Sequence, residues 1–138
     1  MSGVPKIKKA VIPAAGKGKR LLPASAFLPK ELMLVGQKPL IQYVIEEAIE
    51  SGVCEIIIVI NKEKEIIKKF ILERIKISSL NLGRICKNVN FRFVYQEEPN
   101  GLMDAVYLTK NFLKNEPFAL MLPDNIFFSK SPAIGRLI

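Results

Sequence analysis

The chain has 138 residues, of which 49% are hydrophobic and 25% charged, and its formal net charge is +8. This length fits one domain with a proper core, and no apolar run reaches the roughly 18 residues that a transmembrane helix needs. The N-terminus has no apolar segment of signal-peptide length, so export is not expected. The two cysteines, Cys54 and Cys86, are not at metal-ligand spacing, and we expect a reducing, cytoplasmic compartment.

The positive charge is concentrated near the N-terminus. Residues 1–30 hold seven of the 21 basic residues and none of the 13 acidic ones. A nucleic-acid-binding protein usually spreads such charge over a face interleaved with aromatic residues, whereas charge around one loop suits a small anion such as a phosphate chain. The alternative is a solvated loop that follows a lysine-rich tail, with Lys6, Lys8 and Lys9 at a solvated edge. We expect neither nucleic acid nor a membrane as a partner.

The predicted elements alternate between strands and helices along the chain. Apolar and β-branched runs predict strands at 8–14, 54–60, 89–96 and 117–122. Apolar residues at helical spacing predict helices at 40–52, 62–76 and 101–113, a fourth helix begins at Ser131, and 78–88 is predicted to be a loop. Gly52 is predicted to end the first helix and Asn61 to cap the second. The helical side chains expected to face the core are Ile41, Val44, Ile45, Ala48, Ile49, Ile66, Ile67, Phe70, Ile71, Ile75, Leu102, Ala105, Val106 and Phe112.

This alternation predicts an α/β fold, a Rossmann-like open and mostly parallel sheet with helices on both faces. In a sheet of order 3-2-1-4, ligands bind beyond the carboxyl ends of strands one and four, where the winding direction reverses. The loop "AAGKGKR" at 14–20 and the turn "LPDN" at 122–125 would meet there. A basic, glycine-bearing loop that faces a carboxylate is the arrangement expected for a nucleotide with a divalent metal.

Small residues in the loop let a backbone approach phosphate oxygens and offer them N–H groups. Arg20 and Lys30 supply positive charge, and Asp124 is a hard oxygen ligand suited to Mg²⁺. The small residues are Ala14, Ala15, Gly16 and Gly18.

Each of these features has a plainer interpretation. A two-glycine turn is often a simple connector, and "GKGKR" has neither the spacing of a P-loop nor the third glycine of a dinucleotide fingerprint. Arg20 and Lys30 by themselves would be surface charges, and Asp124 by itself would cap the following turn.

Four blocks together are more specific than any one of them. "GKGKRLLPASAFLPKEL" at 16–32 closely resembles the signature of the sugar-1-phosphate nucleotidyltransferases. "QKPLIQYVIEEAIESGVCEIIIVI" at 37–60, "QEEPNGLMDAV" at 96–106 and "LPDNIFF" at 122–128 are similar to three further blocks of that family, in the same order and spacing. The resemblance covers residues 8–138 and is closest to the bacterial UTP–glucose-1-phosphate uridylyltransferases, although "DNIF" also occurs in the glucose-1-phosphate thymidylyltransferases.

The resemblance implies that a nucleoside triphosphate, UTP in the closest group, reacts with a sugar 1-phosphate, glucose 1-phosphate in that group. Nucleotide sugar and pyrophosphate are the products, and Mg²⁺ is the cofactor. By position, Arg20 would bind the phosphates that leave, Lys30 would stabilise charge at the α-phosphate, and Asp124 would be a Mg²⁺ ligand. Ala14, Ala15 and Gly16 would lie against the nucleotide, while Gln96 and Gly101 would contact the base. Without the resemblance, Gln96 simply ends a strand and Gly101 starts a helix.

The sequence departs from the family pattern in three ways. Lys19 stands where the family has Thr, which adds a cation near the triphosphate. Met103 stands where a small residue is usual, and its longer side chain would narrow the pocket near the base or ribose. Family members are also longer, so residues 1–138 are expected to be the nucleotide-binding part with the sugar-binding half absent.

Two further points concern the assembly of the chain and the alternative to an enzyme. The fourth strand would form an exposed edge that a partner chain covers, and the expected assembly is a homo-oligomer. The alternative to an enzyme is a catalytically inactive nucleotide-binding module with a regulatory or assembly role.

Overall fold

The computed structural model describes residues 6–17, 22–23, 28–75, 88–126 and 134. The strands are β1 (Lys9–Pro13), β2 (Leu34–Val35), β3 (Lys38–Pro39), β4 (Glu55–Ile60), β5 (Asn90–Tyr95) and β6 (Phe118–Leu120). The α-helices are α1 (Leu40–Glu50), α2 (Glu65–Arg74), α3 (Leu102–Tyr107) and α4 (Lys110–Leu113), and short 3₁₀ turns cover Lys30–Leu32 and Lys62–Lys64. Most of the predicted loop at 78–88, and all of the predicted helix from Ser131 except residue 134, lie outside the described residues.

The main sheet has four parallel strands in the order β5-β4-β1-β6. Counted along the chain within this sheet, that is the order 3-2-1-4, so the expected topology is confirmed. The two central strands, β1 and β4, are almost entirely buried. Their β-branched residues suit a strand that is covered on both faces.

Helices cover both faces of this sheet. Alternate residues of β1 and β4, such as Ile12 and Ile58, join the core that α1 and α2 complete. The intervening residues, such as Val11 and Ile57, pack on the other side with Ala105 of α3 and Leu113 of α4. This division follows the two-residue period of a strand, and it confirms the predicted fold class.

Helix α1 ends as the sequence predicts. The N–H of Gly52 donates to Ile49 O at 3.0 Å, and the N–H of Val53 donates to Ala48 O at 3.0 Å. These two bonds form a Schellman motif, in which the residue after the helix adopts a left-handed conformation. Gly52 has a φ of 94°, which glycine adopts without steric cost. All five residues of α1 that were expected to face the core are buried.

Two residues of the other helices, Ile66 and Leu102, were expected to face the core, and this prediction is wrong. Ile66 is 50% exposed, because α2 buries only a narrow stripe made by Ile67 and Ile71. Leu102 is 42% exposed, because it lies at the open start of α3 rather than against the sheet.

The predicted helix at 101–113 is broken into α3 and α4. Thr109 is fully buried, and both its hydroxyl, at 2.6 Å, and its N–H, at 3.0 Å, donate to Val106 O. The N–H bond spans three residues rather than the four of an α-helix. The backbone therefore forms a tighter turn at Thr109, and the α-helix is interrupted there.

A small hairpin was not predicted. Strands β2 and β3 are antiparallel and are connected by a two-residue turn. Gly36 is the first residue of this turn and has a φ of 66°. Glycine at the first central position is typical of a type II′ hairpin turn. The Tyr43 hydroxyl donates to Val35 O at 2.6 Å, which fixes the hairpin against α1.

Lys9 and Cys54 differ from their expected environments. Lys9 is 7% exposed, and its ammonium donates to Phe112 O at 2.7 Å and to Glu116 at 3.2 Å, so it is not part of a solvated edge. Cys54 is not a free thiol in the structure, so the cysteines give no support to the expected reducing compartment. Among the described residues, no helix is long and apolar enough to cross a membrane.

Candidate functional site

A cleft of about 310 Å³ opens beyond the carboxyl ends of β1 and β6. This is the place where the winding of the sheet reverses, and it is the usual ligand site of such sheets. Six of the nine predicted site residues line this cleft: Ala15, Gly16, Lys30, Gln96, Gly101 and Asp124. Residues of four separate segments of the chain, all predicted for one site, therefore lie together at this cleft.

Of the other three predicted site residues, the structure describes only Ala14, which does not line the cleft. Ala14 is only 1% exposed and lies beneath the cleft, where its carbonyl accepts a hydrogen bond from Lys64. Gly18 and Arg20 lie outside the described residues, as does Lys19, so their predicted roles rest on the sequence.

Lys30 and Asp124 face each other across the cleft. The Lys30 ammonium lies 3.9 Å from an Asp124 carboxylate oxygen, and the two side chains are 26% and 55% exposed. The Lys30–Leu32 turn presents the lysine, and the turn after β6 presents the aspartate. A cation and a carboxylate that both remain accessible to solvent are free to bind a phosphate and a metal ion respectively.

Gln96 is held in one orientation by its neighbours. It directly follows β5, is 6% exposed, and donates its side-chain amide to Gly101 O at 3.2 Å and to Asp104 at 2.8 Å. With both amide hydrogens engaged, its side-chain oxygen is the group that remains for a ligand. Gly101 precedes α3 with a φ of 91°. Gln96 therefore follows the end of a strand and Gly101 starts a helix, as the simpler interpretation expected. Both residues also line the cleft.

Glu31, which lines the cleft, forms a buried ion pair with Lys64 that the sequence did not predict. The Lys64 ammonium is 3.0 Å from each Glu31 carboxylate oxygen and 3.0 Å from Ala14 O. The side chains of Lys64 and Glu31 are 9% and 1% exposed. Burial lowers the pKa of Lys64 below its ordinary value, and the negative charge of Glu31 opposes that shift. The position of Glu31 beside Lys30 in the first block was the one available signal.

Asn61 connects the site to a second cleft. It was expected to cap a helix, but its side chain makes no capping bond and instead donates to Ala15 O at 2.9 Å. The second cleft, of about 420 Å³, lies on its other side and shares Ala15, Gln96 and Pro99 with the first. Its lining carries charges of both signs, including Lys17 and Glu97.

Residues 9–136 match the family described as Nucleotidyl transferase. The chain belongs to this nucleotidyl transferase family. Its curated relatives include the UTP–glucose-1-phosphate uridylyltransferase of Mycoplasma pneumoniae, which is 40% identical over an alignment of 146 residues that covers 98% of this chain and 50% of the relative. The enzyme of the same name from Bacillus subtilis is 40% identical over 151 residues, covering 96% and 49%. The chain spans about half the length of the curated relatives it matches.

Solved structures of the family agree with this assignment. A UDP-glucose pyrophosphorylase complexed with UDP-glucose is 33% identical with a TM-score of 0.77, covering 95% of this chain and 51% of that one. The UDP-glucose pyrophosphorylase of Acinetobacter baumannii is 36% identical with a TM-score of 0.76, covering 91% and 48%. A putative glucose-1-phosphate thymidylyltransferase from Bacillus anthracis is 27% identical with a TM-score of 0.75, covering 94% and 49%.

The departure from the family pattern at Met103 does not narrow the described clefts. Met103 is 78% exposed and lines neither of them, whereas its neighbour Leu102 lines the first. The expectation of a narrowed pocket is therefore wrong for the residues that the structure describes.

The donor set suits a magnesium ion that is held mainly by its nucleotide. Asp124 offers one accessible carboxylate, and within the described ranges no group of three or more His, Cys, Asp or Glu side chains is arranged to hold a metal. Mg²⁺ commonly binds one or two carboxylates together with substrate phosphates and water. Asp124 fits that mode, whereas an all-protein cage would need further ligands.

Proposed function

We propose that the chain provides the nucleotide side of a nucleotidyl transfer from UTP to glucose 1-phosphate, which gives a nucleotide sugar and pyrophosphate. The observation that carries this proposal is the meeting of Gly16, Lys30, Gln96 and Asp124 in one cleft at the reversal point of the sheet. Relatives at 40% identity that are named for this reaction support the choice of substrates.

The reaction needs charge neutralisation more than covalent chemistry. An oxygen of the sugar phosphate forms a bond to the α-phosphorus of UTP, and the bond from that phosphorus to the bridging oxygen breaks, so pyrophosphate leaves with its electron pair. Lys30 would stabilise the charge that develops at the α-phosphate. The N–H groups of the loop after β1 would hold phosphate oxygens, and Arg20 would bind the leaving phosphates by its place in the motif.

The contacts of Gln96 favour uracil over cytosine. Uracil presents an N–H donor between two carbonyl acceptors. The Gln96 oxygen would accept from that N–H, and the Gly101 N–H would donate to a neighbouring carbonyl. Cytosine has an acceptor in place of the N–H, so it would leave the buried Gln96 oxygen without its partner, which costs binding free energy.

Magnesium would enter with the nucleotide. Asp124 would contribute one oxygen ligand, and the phosphates and water would supply the others. The ion would neutralise phosphate charge during transfer. Because nucleoside triphosphates and sugar phosphates are metabolites of the cell interior, the compartment that goes with these substrates is the cytoplasm.

We propose further that residues 1–138 form the nucleotide-binding part and that the sugar-binding half lies outside them. The described cleft supports this division, because its polar groups suit a base, phosphates and a metal. Under the alternative, the same cleft binds nucleotide in a module without transfer activity. The assembly expected for either version is a homo-oligomer.

Thermal-shift measurements with UTP, dTTP, ATP and CTP in the presence of Mg²⁺ test the nucleotide site. UTP should raise the unfolding temperature most, and a failure of all four to raise it would overturn the proposed function. Pyrophosphate release with UTP and glucose 1-phosphate then separates the two versions. We expect very weak or absent turnover by this chain alone, and robust turnover would contradict the assignment of the sugar half to another part.

A further inference from the structure

Two consecutive carbonyl groups of the loop after β1 are held from the same side. Lys64 donates to Ala14 O at 3.0 Å, and Asn61 donates to Ala15 O at 2.9 Å. Both side chains come from the connection between β4 and α2, which is remote in the chain from the loop. The orientation of two successive peptide units is thus set by two side chains rather than by regular secondary structure.

The geometry of a trans peptide then fixes where the amide groups point. The C=O of one residue and the N–H of the next point in opposite directions within a planar trans unit. The N–H groups of Ala15 and Gly16 are therefore directed away from the β4–α2 connection. Within the described part of the chain, neither of these two N–H groups donates a hydrogen bond. Both residues line the 310 Å³ cleft, so these donors are available to a ligand there.

Lys64 also connects the loop to the turn that carries the cleft's cation. Its ammonium contacts both oxygens of Glu31, which is 1% exposed and adjacent to Lys30. The buried ammonium of Lys64 thus connects the backbone of the loop to the turn that contains Lys30 and Glu31. A movement of Lys64 would shift both groups that face the ligand.

Stability alone does not account for this arrangement. A buried ion pair is often replaceable by apolar residues of similar size without loss of stability. Asn61 also leaves its side-chain oxygen buried without a hydrogen-bond partner among the described residues, which is unfavourable. A functional role explains these costs, because Lys64 and Asn61 supply the donors that hold the carbonyl groups of the loop.

We propose that Glu31, Lys64 and Asn61 are positioning residues, which orient the loop after β1 so that its N–H groups bind the phosphate groups of a nucleotide. The identity of the ligand rests on the proposed function, whereas the orientation of the loop does not. Lys64 and Asn61 do not line the 310 Å³ cleft, whereas Glu31 does. The role proposed for all three is indirect, through the Ala14–Gly16 backbone or through the Lys30 turn.

The test uses the double variant Glu31→Leu/Lys64→Met and the nearly isosteric variant Asn61→Asp. The double variant removes the whole ion pair and so leaves no unpaired buried charge, which keeps it foldable. Asn61→Asp keeps the side-chain shape but removes the donor to Ala15 O. The matched control is Lys38→Met/Glu46→Gln, which removes another Lys–Glu pair, at 2.8 Å, that lies outside the cleft.

The first readout needs no ligand. Backbone ¹⁵N heteronuclear NOE values of Ala15 and Gly16 should fall toward that of the exposed Gly36 turn in both test variants and stay high in the control. The values for β1 and β4 should stay high in all variants. A well-folded double variant with unchanged values at Ala15 and Gly16 would overturn the proposal.

The second readout is the affinity for UTP with Mg²⁺, measured by calorimetry. We expect a Kd increase of at least about tenfold for both test variants and no change for the control. Equal affinity in all variants would also overturn the proposal. If the wild-type chain binds no nucleotide, the proposed function fails, while the NOE values still decide whether these residues orient the loop.

Discussion

The side-chain amide of Gln96 donates to the carboxylate of Asp104 at 2.8 Å, across the start of α3. An amide can offer either its NH₂ group or its oxygen to a ligand, and this contact determines which one remains. Asp104 thus controls the hydrogen-bonding character of Gln96 from outside the cleft, since Asp104 is not among the residues that line it.

The first prediction is that Asp104→Leu lowers the preference for UTP over CTP. Without its acceptor, the Gln96 amide can turn and present either end to the base. We expect UTP to bind several-fold more weakly, while CTP binding changes less. Calorimetric titrations of both nucleotides measure this. Asp104→Asn is the matched control, because its side-chain oxygen still accepts from Gln96, and an equal loss in that variant would contradict the explanation.

The second prediction concerns Gly16→Ala. A methyl group added at Gly16 would meet no atom within 4 Å, and its φ is not positive, so stability should remain close to that of the wild type. A phosphate that approaches the backbone would meet the methyl group, so we expect UTP affinity to fall about tenfold. Unfolding temperature and Kd measured on the same samples separate the two effects.

Gly101→Ala is the comparison for that variant. Gly101 has a φ of 91°, where a side chain is strained although space is available. This substitution should cost about 1–2 kcal/mol in the free energy of unfolding. Equal stability of the two glycine variants would contradict the backbone argument for Gly101.

The third prediction is that Asp124→Asn reduces the dependence of UTP binding on Mg²⁺ without destabilising the fold. The Lys30–Asp124 pair is 3.9 Å apart, and Asp124 is 55% exposed, so its contribution to stability should be below about 1 kcal/mol. Titrations with and without Mg²⁺ should show a smaller difference in Kd than in the wild type. If Mg²⁺ strengthens binding equally in both proteins, Asp124 is not a ligand.

The fourth prediction is a pH effect at the Lys38–Glu46 pair. The hydrogen bond that Lys38 donates to Glu46 raises the pKa of Lys38 above 10.5, against a smaller opposing effect of burial. Because the folded state holds this proton more tightly, the stabilisation is present below pH 10.5 and is lost as the pH rises through the folded-state pKa. Glu46→Gln should therefore be less stable than the wild type at neutral pH, by less than about 1 kcal/mol, and the difference should shrink above pH 10.5. Urea denaturation across this range measures it, and a constant difference would argue against the linkage.

The fifth prediction concerns assembly. Strand β6 lies at the edge of the described sheet, and its Leu120 is 40% exposed. Edge strands pair readily with other chains, and a charged side chain on the edge opposes such pairing. The wild-type chain should therefore associate in light scattering coupled to size-exclusion chromatography, and Leu120→Lys should shift it toward the monomer. A wild-type chain that stays monomeric at high concentration would refute this.

The sequence predicts the central architecture because its signals there are strong and local. The five-residue apolar pattern of α1, its terminal Gly52 and the β-branched run of β4 each point to one structure. Six of the nine predicted site residues line one cleft, and the motif blocks allowed them to be chosen because they fix the order and spacing of these residues. Neither result depends on knowing which side chains meet across the fold.

The features that were missed depend on contacts between distant side chains. Glu31 and Lys64 are separated by 33 positions, and each one by itself resembles a solvated surface charge. The break before α4 depends on the two hydrogen bonds that the N–H and the hydroxyl of Thr109 donate to Val106 O, which helix propensity does not reveal. Strands β2 and β3 have two residues each, which is too short for an alternating pattern to be recognised.

The contacts of Lys64 have a consequence for local unfolding. Its ammonium joins the start of α2, the loop after β1 and the turn that contains Glu31. A fluctuation that opens any one of these segments must break bonds to the other two, so the three should open as one cooperative unit. Ligand binding at the loop would then protect backbone amides at the start of α2, outside the cleft. If nucleotide slows the hydrogen exchange of the backbone amides at the start of α2, then this end of the helix senses whether the cleft is occupied.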